Sequence, residues 1–158
     1  FTEFVPLPFV HMEAPLYLKG LARSGPTFRE ALLMHAVSRL VLSPFIKNIQ
    51  TSWVKMGEQG VAACLGSGAN DLGGTLMNET ITRSAGAEHG QEYSTAKMQQ
   101  IITALGRTAR QRSTVYGGVS QERIDAAAVA APLTEVVNTP VKKYDRKQRR
   151  SGELIANV

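Results

Sequence analysis

The sequence predicts an α/β fold of about three parallel strands with helices packed outside them and a C-terminal tail. Three observations lead there. Short β-rich runs alternate with helical stretches in the order strand, helix, strand, helix, strand, loop, helix. Such alternation argues for parallel pairing, because each crossover helix packs back onto the sheet. The polar residues gather just after the strand runs, as in (β/α) barrels, where chemistry sits on the loops after strand C-termini. At 158 residues, with 43% hydrophobic and 20% charged residues, the chain suits one ordinary globular domain. Three strands do not close a barrel, but they suit the last three strands of one.

Residues 1–5 form the first strand, with Thr2 and Phe4 on one face and Phe1, Glu3 and Val5 on the other. Pro6 and Pro8 stop it, since proline cannot donate to a central ladder. An irregular connection over 11–25 carries His11, Glu13 and Tyr17. A helix then starts at Thr27, an N-cap with Glu30 three residues on, the pattern of a capping box. Leu33, Ala36, Val37, Leu40 and Val41 make one apolar stripe along it, and Ser43-Pro44 ends it. The second strand covers 46–54, with Gln50, Ser52 and Val54 on one face and Thr51, Trp53 and Lys55 on the other. A short helix over 58–65 turns Val61, Ala62 and Leu65 inward. A brief third strand, 69–72, opens a glycine-rich loop. Ser94 caps a further helix with Met98, Ile101, Ile102 and Leu105 at helical spacing, closed by Gly106. An alanine-rich helix is expected over 121–131, and order is expected to fade beyond Pro132.

The stretch 68–90, GANDLGGTLMNETITRSAGAEHG, organises the rest. Its glycines let backbone approach a ligand closely, and Asn70, Asp71, Asn78, Glu79 and His89 are set among them. The loops after the three strands bring His11 and Glu13, then Lys55, then Asn70 to Glu79 toward one end of the sheet.

Charge and cysteine usage exclude several classes. The net charge of +5 comes from one run, 142–150, KKYDRKQRR; outside it 12 Lys and Arg balance 12 Asp and Glu. A neutral body without a nucleic-acid-binding motif argues against that partner, although such a run alone could bind an acidic one. No apolar run approaches the roughly 20 residues of a membrane span. A single cysteine, Cys64, excludes an internal disulfide and any cysteine-rich metal cluster in this chain. The chain opens on Phe1 within a strand run, which leaves an unpaired edge and leads us to expect a fragment of a longer protein.

FTEFVPLPFVHMEAP, IQTSWVKMG, GANDLGGTLMNETITRSAGAEHG and GRTARQRSTVYG, in this order, resemble the C-terminal third of the tyrosine-ligating half of FO synthase. This is a family of radical S-adenosylmethionine (SAM) enzymes of deazaflavin coenzyme biosynthesis. Radical SAM enzymes of the futalosine menaquinone route share a GAND-like loop, and TSWVK and NETITRSAG fit FO synthase better. The resemblance implies a TIM-like (β/α) radical SAM barrel, with 1–117 as its C-terminal portion and 118–158 as a helical or disordered basic tail. It implies a transferase that joins the 4-hydroxybenzyl group of L-tyrosine to 5-amino-6-(D-ribitylamino)uracil. A 4Fe-4S cluster and SAM would be the cofactors. The partners would be the N-terminal barrel portion and the companion ring-closing half, in a cytoplasmic protein.

The pattern departs from that family in one respect. The cluster needs three thiolates, usually spaced CxxxCxxC, and one cysteine cannot supply them. The cluster ligands are therefore expected elsewhere, with this chain alone inactive. A non-catalytic barrel remnant serving as an interaction module is the other class that this departure leaves open. Position marks Asp71, Asn70, Gln50, Ser52, Glu79 and His11 as substrate-binding candidates, with Asp71 foremost. Asn70 and Asp71 could bond ribityl hydroxyls or amino groups, or brace their turn. Gln50 and Ser52 point inward if Trp53 packs on the outer helices; otherwise Thr51, Trp53 and Lys55 replace them. Glu79 could hold the tyrosine ammonium, and His11 or His89 could move protons. No catalytic residue and no metal ligand is assigned.

Overall fold

A computed structural model describes residues 1–76 and 78–129. In chain order the elements are β1 (Glu3–Phe4), α1 (Pro15–Leu18), α2 (Phe28–Leu42), β2 (Asn48–Ile49), α3 (Trp53–Gly66), α4 (Ile81–Ser84), α5 (Thr95–Ala104) and α6 (Gln121–Ala128). β1 and β2 pair in parallel, Glu3 with Asn48 and Phe4 with Ile49. The expected third strand at 69–72 is reduced to one parallel bridge, Gln50 with Asp71. It is held by Asn70 N–H to the Ile49 carbonyl and Thr51 N–H to the Asp71 carbonyl, both at 2.9 Å. Gly68 at φ 118° and Gly73 at φ 73° turn the chain out of extended geometry on either side. The sheet thus holds two strands and this bridge, not three strands.

The second strand and the helix after it also divide differently from expectation. The chain leaves the sheet at Ser52, and Trp53 and Val54 open α3 five residues early. Burial decides this against β-propensity: Trp53 is 3% and Val54 9% exposed. Lys55 therefore sits in a helix and not on a loop. Gly57 breaks α3 at φ 64°, ψ −178°, so its first turn and the remainder are separate pieces.

The capping box of α2 forms as expected. Glu30 N–H donates to Thr27 Oγ1 at 3.2 Å, and Thr27 N–H donates to the Glu30 carboxylate at 2.7 Å. The stripe faces the other way. α2 buries Ala31, His35 and Ser38, while Leu33, Val37, Leu40 and Val41 are exposed, Leu40 by 80%. α1 and α4 were not anticipated inside their loops. α5 begins at its Ser94 cap and buries Met98 and Ile101. The basic run and everything else in 130–158 lie outside the described residues. Among those residues no helix is long and apolar enough to cross a membrane.

The core joins Trp53, Val54, Val61, Cys64 and Leu65 of α3 to Ala69, Leu72, Tyr93 and the α5 residues Met98 and Ile101. Trp53 stacks on Tyr93 with ring centroids 5.1 Å apart, and its Nε1–H reaches the Gly74 carbonyl at 3.0 Å. His35, fully buried between α2 and α3, holds the Ala31 carbonyl at 2.8 Å.

Register sorts the sheet's faces. Paired residues and residues two apart share a side, so Glu3, Asn48, Gln50 and Asp71 line one face. Ile49 points the opposite way and is fully buried. One face is apolar and covered; the other is polar.

Candidate functional site

The polar face is built around an ion pair. Arg112 grips Asp71 through both ends of its guanidinium, Nε to Oδ2 and Nη2 to Oδ1, the latter at 2.9 Å. Gly73 N–H adds a bond to Asp71 Oδ1 at 2.6 Å. Planar, bidentate pairs of this kind combine charge with fixed geometry. Beyond it, Glu3 lies 3.9 Å from Arg112 Nη2 and accepts a hydrogen bond from Tyr116 Oη. The Tyr116 ring lies under the guanidinium, 4.0 Å from its carbon. The hydrogen bonds and charge of Asp71 push the Arg112 pKa further up. Burial first, then the bond to Glu3, pushes the Tyr116 phenol up as well.

Local folding explains how residues 112 and 116 reach this face. Arg112 and Gly118 form an antiparallel bridge, and Ser113 closes the turn through its N–H to the Gly117 carbonyl at 2.9 Å. Tyr116 adopts φ 61° there, a costly conformation for an aromatic residue, kept where surrounding contacts dictate it. Its contacts are the ones just described.

The candidate residues separate into two groups. Asp71 and Gln50 lie together on the polar face as bridge partners. The Gln50 side chain packs over Gly73, where a Cβ would fall 2.6 Å from its Nε2. Among the described residues the Gln50 amide makes no hydrogen bond, whereas Asp71 is largely committed to Arg112 and Gly73 N–H. Asn70 is turned to the frame: its Oδ1 accepts from Ile49 N–H at 2.9 Å and from Arg39 at 2.6 Å. Arg39 also bonds the carbonyls of Gly68 and Lys47, tying α2 to both strand entries. Glu79 accepts Thr82 N–H at 3.1 Å and so caps α4. Ser52 is buried at the start of α3 without bonding its backbone. Trp53 lies in α3 and not on the strand, so the strand alternation that was to orient Gln50 and Ser52 does not extend to it.

His11 lies at the strand ends with Lys55, Glu88 and His89 around a cleft of about 600 Å³. Its Nδ1 accepts Gly25 N–H at 3.0 Å, and its ring meets the Tyr17 ring edge-on at 4.7 Å. An adjoining cleft of about 820 Å³ is lined by Leu7, Phe9, Val10, Pro15, Lys55 and Ile81 among others.

Sequence reasoning missed Glu3, Arg112 and Tyr116. The signal was present: Arg112 and Tyr116 lie in GRTARQRSTVYG, and a carboxylate at a strand end needs a cationic partner if it is to be buried.

An iron–sulfur cluster does not fit these residues. Cys64, the sole cysteine, is fully buried in the core, and burial pushes its thiol pKa up, away from the thiolate a cluster requires. Among the described residues no three His, Cys, Asp or Glu side chains group to hold a metal.

Fold and site together define a β/α segment with one covered face, one ion-paired polar face and ligand-sized clefts at its strand ends. The chain belongs to the family described as the CofH/MqnC C-terminal region, whose model matches residues 1–123. It is 55% identical over 130 residues to FO synthase of Streptomyces avermitilis, covering 82% of this chain and 15% of that protein. It is also 55% identical over 116 residues to FO synthase of Mycobacterium tuberculosis H37Rv, covering 73% of this chain and 14% of the relative. The 5-amino-6-(D-ribitylamino)uracil–L-tyrosine 4-hydroxyphenyl transferase of Methanocaldococcus jannaschii is 50% identical over 116 residues, 73% of this chain and 32% of that enzyme. The chain thus spans a third or less of the length of these relatives. No solved structure matches it.

Proposed function

We propose that the chain is the substrate-facing C-terminal part of an FO synthase of the tyrosine-transferring type. The whole enzyme would join the 4-hydroxybenzyl group of L-tyrosine to 5-amino-6-(D-ribitylamino)uracil. One observation carries the reading beside the 50–55% identities. Three of the motifs that resemble the family meet on one face, Gln50, Asp71 and Arg112 with Tyr116 each coming from a different one, and Glu3 of the fourth completes it. In this reading 1–117 belong to the barrel and 118–158 are an appended segment. The 4Fe-4S cluster and SAM are held by other parts of the enzyme, and the companion half closes the ring. The residues described here bind, orient and exclude water.

Gln50 is the group best placed to meet the uracil. Its amide offers both a donor and an acceptor, and it lies beside an Asp71 carboxylate that Arg112 keeps in one orientation. In the full-length enzyme, Gln50→Leu is expected to weaken ribitylaminouracil binding about 3- to 10-fold, the loss of one or two neutral hydrogen bonds. Its melting temperature should stay at the wild-type value. An unchanged dissociation constant in the folded variant would take the uracil off this face.

A further inference from the structure

Lys55 is held by more of the structure than an ordinary surface lysine. It lies half-buried in the first turn of α3, and its Nζ donates to Thr82 Oγ1 at 2.8 Å, a hydroxyl on a fully buried residue. Its backbone is fixed as well. The break at Gly57 frees the Lys55 carbonyl from the helix ladder, and His89 Nε2 donates to it at 3.1 Å. His89 can come so close only because residue 57 is glycine: a Cβ there would fall 2.9 Å from the imidazole ring. Three separate pieces of chain, residues 57, 82 and 89, set the position of one ammonium group.

That group borders both clefts at the strand ends, whose apolar walls include Leu7, Phe9, Val10, Phe28, Met56 and Ile81, and whose charged lining adds Glu13 and Lys19 in one cleft and Glu88 in the other. Among the described residues no ion pair to Lys55 is seen. Thr82 occupies one of its three donor positions. A pre-positioned cation without an ion pair among the described residues, at the edge of apolar walls, selects a ligand that carries an anion beside an apolar body.

We propose that Lys55 binds the α-carboxylate of an amino-acid ligand whose apolar side chain lies in the adjoining cleft. This rests on the functional reading above, which supplies the choice of amino acid. Ribitylaminouracil is an uncharged polyol and has no carboxylate for Lys55. L-Tyrosine has a carboxylate and an aromatic ring. The methionyl part of SAM also carries an α-carboxylate, so the two sources are separated by measurement.

The test uses the full-length enzyme, with equilibrium binding of L-tyrosine, of tyramine (which lacks only the carboxylate), of SAM and of ribitylaminouracil. Lys55→Gln is expected to weaken L-tyrosine binding about 10- to 100-fold, the range for a charge-assisted hydrogen bond. Binding of tyramine, SAM and the uracil should not change, so the preference for tyrosine over tyramine disappears. Lys55→Arg should keep most of that preference. Thr82→Val, which leaves the lysine in place, should reduce it several-fold, and it serves as the second variant if Lys55→Gln does not fold. Equal losses for tyrosine and tyramine, an unchanged tyrosine affinity, or a loss confined to SAM would each overturn the assignment. A wild-type enzyme that makes product without tyrosine would instead overturn the functional reading. Tyrosine-dependent product in the wild type together with an indifferent Lys55→Gln variant would sink this inference alone.

Discussion

Helices α2 and α3 pack on one another but use their apolar residues in opposite directions. α3 turns Val61, Cys64 and Leu65 into the core that it shares with α5. α2 meets α3 with Ala31, His35 and Ser38 and carries Leu33, Val37, Leu40 and Val41 on the side away from it. Ala31 and Ser38 are small enough to let the two helices approach, and His35 bonds the Ala31 carbonyl through Nδ1 while its buried Nε2 has no hydrogen-bond partner among the described residues. The outward side borders a cleft of about 520 Å³ shared with Phe4, Pro6, Leu7 and Pro8. A helix apolar on two sides needs two neighbours. In the proposed reading the second neighbour is the rest of the barrel. Periodicity identifies a face; it does not say what covers it.

The difference can be broken by truncating one leucine on each side. Leu65 is 3% exposed and Leu40 80%. In the 158-residue chain, Leu65→Ala is expected to lower stability by about 2–5 kcal/mol, the range for emptying a filled core site. Leu40→Ala should stay within about 0.5 kcal/mol of wild type, as surface changes do. In the full-length enzyme Leu40→Ala should become costly if the barrel covers it. Urea unfolding of both proteins gives the two values, and a costly Leu40→Ala in the short chain would erase the contrast.

A second contrast sets the polar face against the apolar one. The Asp71 side chain is 10% exposed and Arg112 27%, so removing one charge leaves the other partly buried and unpaired. Arg112→Met is expected to destabilise the chain by about 2 kcal/mol, below the figure for a fully buried pair because water reaches the guanidinium. Asp71→Asn should cost less, since the amide oxygen can still accept from Gly73 N–H or Arg112. Thermal melts should therefore rank the wild type first, Asp71→Asn second and Arg112→Met last. The reverse order of the two variants would mean that Asp71 is held mainly by Gly73 and not by Arg112.

Local signals were the legible ones. Thr27 with Glu30, Ser94, and Met98 with Ile101 are short-range patterns, and each forms as its spacing predicts. The pairing of Gln50 with Asp71 was not read from the sequence: the alternation that oriented Gln50 and Ser52 ran through Trp53, which lies in α3 and not on the strand. What failed was decided at long range. Trp53 and Val54 favour a strand by propensity, but burial against Tyr93 and α5 draws them into a helix. Asn70 read as a ligand group from its loop, yet it bonds Arg39, 31 residues away; Glu79 is the local exception, for it accepts Thr82 N–H three residues on, at a helix start that the glycine-rich composition hid. Asp71 finds its partner 41 residues on, a separation at which no spacing rule operates.

The stack of Trp53 on Tyr93 offers the finest comparison, between a buried indole with its hydrogen bond and a buried phenol without one. Trp53 Nε1–H is satisfied by the Gly74 carbonyl, whereas the Tyr93 hydroxyl has no hydrogen-bond partner among the described residues. Burial, and then the negative charge of Glu58, push its pKa up to about 12. An unfolded tyrosine titrates near 10, so the fold favours the neutral phenol. That contribution is fully present below pH about 10 and is lost as pH rises through about 12. Tyr93→Phe keeps the ring stack and removes the titrating group. Its melting temperature should run parallel to wild type up to about pH 9 and then fall less steeply than wild type toward pH 12. Trp53 is the sole tryptophan in the chain, so its fluorescence reports unfolding from within the same stack. Curves that remain parallel across the whole alkaline range would show that the phenol reaches water in the folded chain and titrates there as it does in the unfolded one.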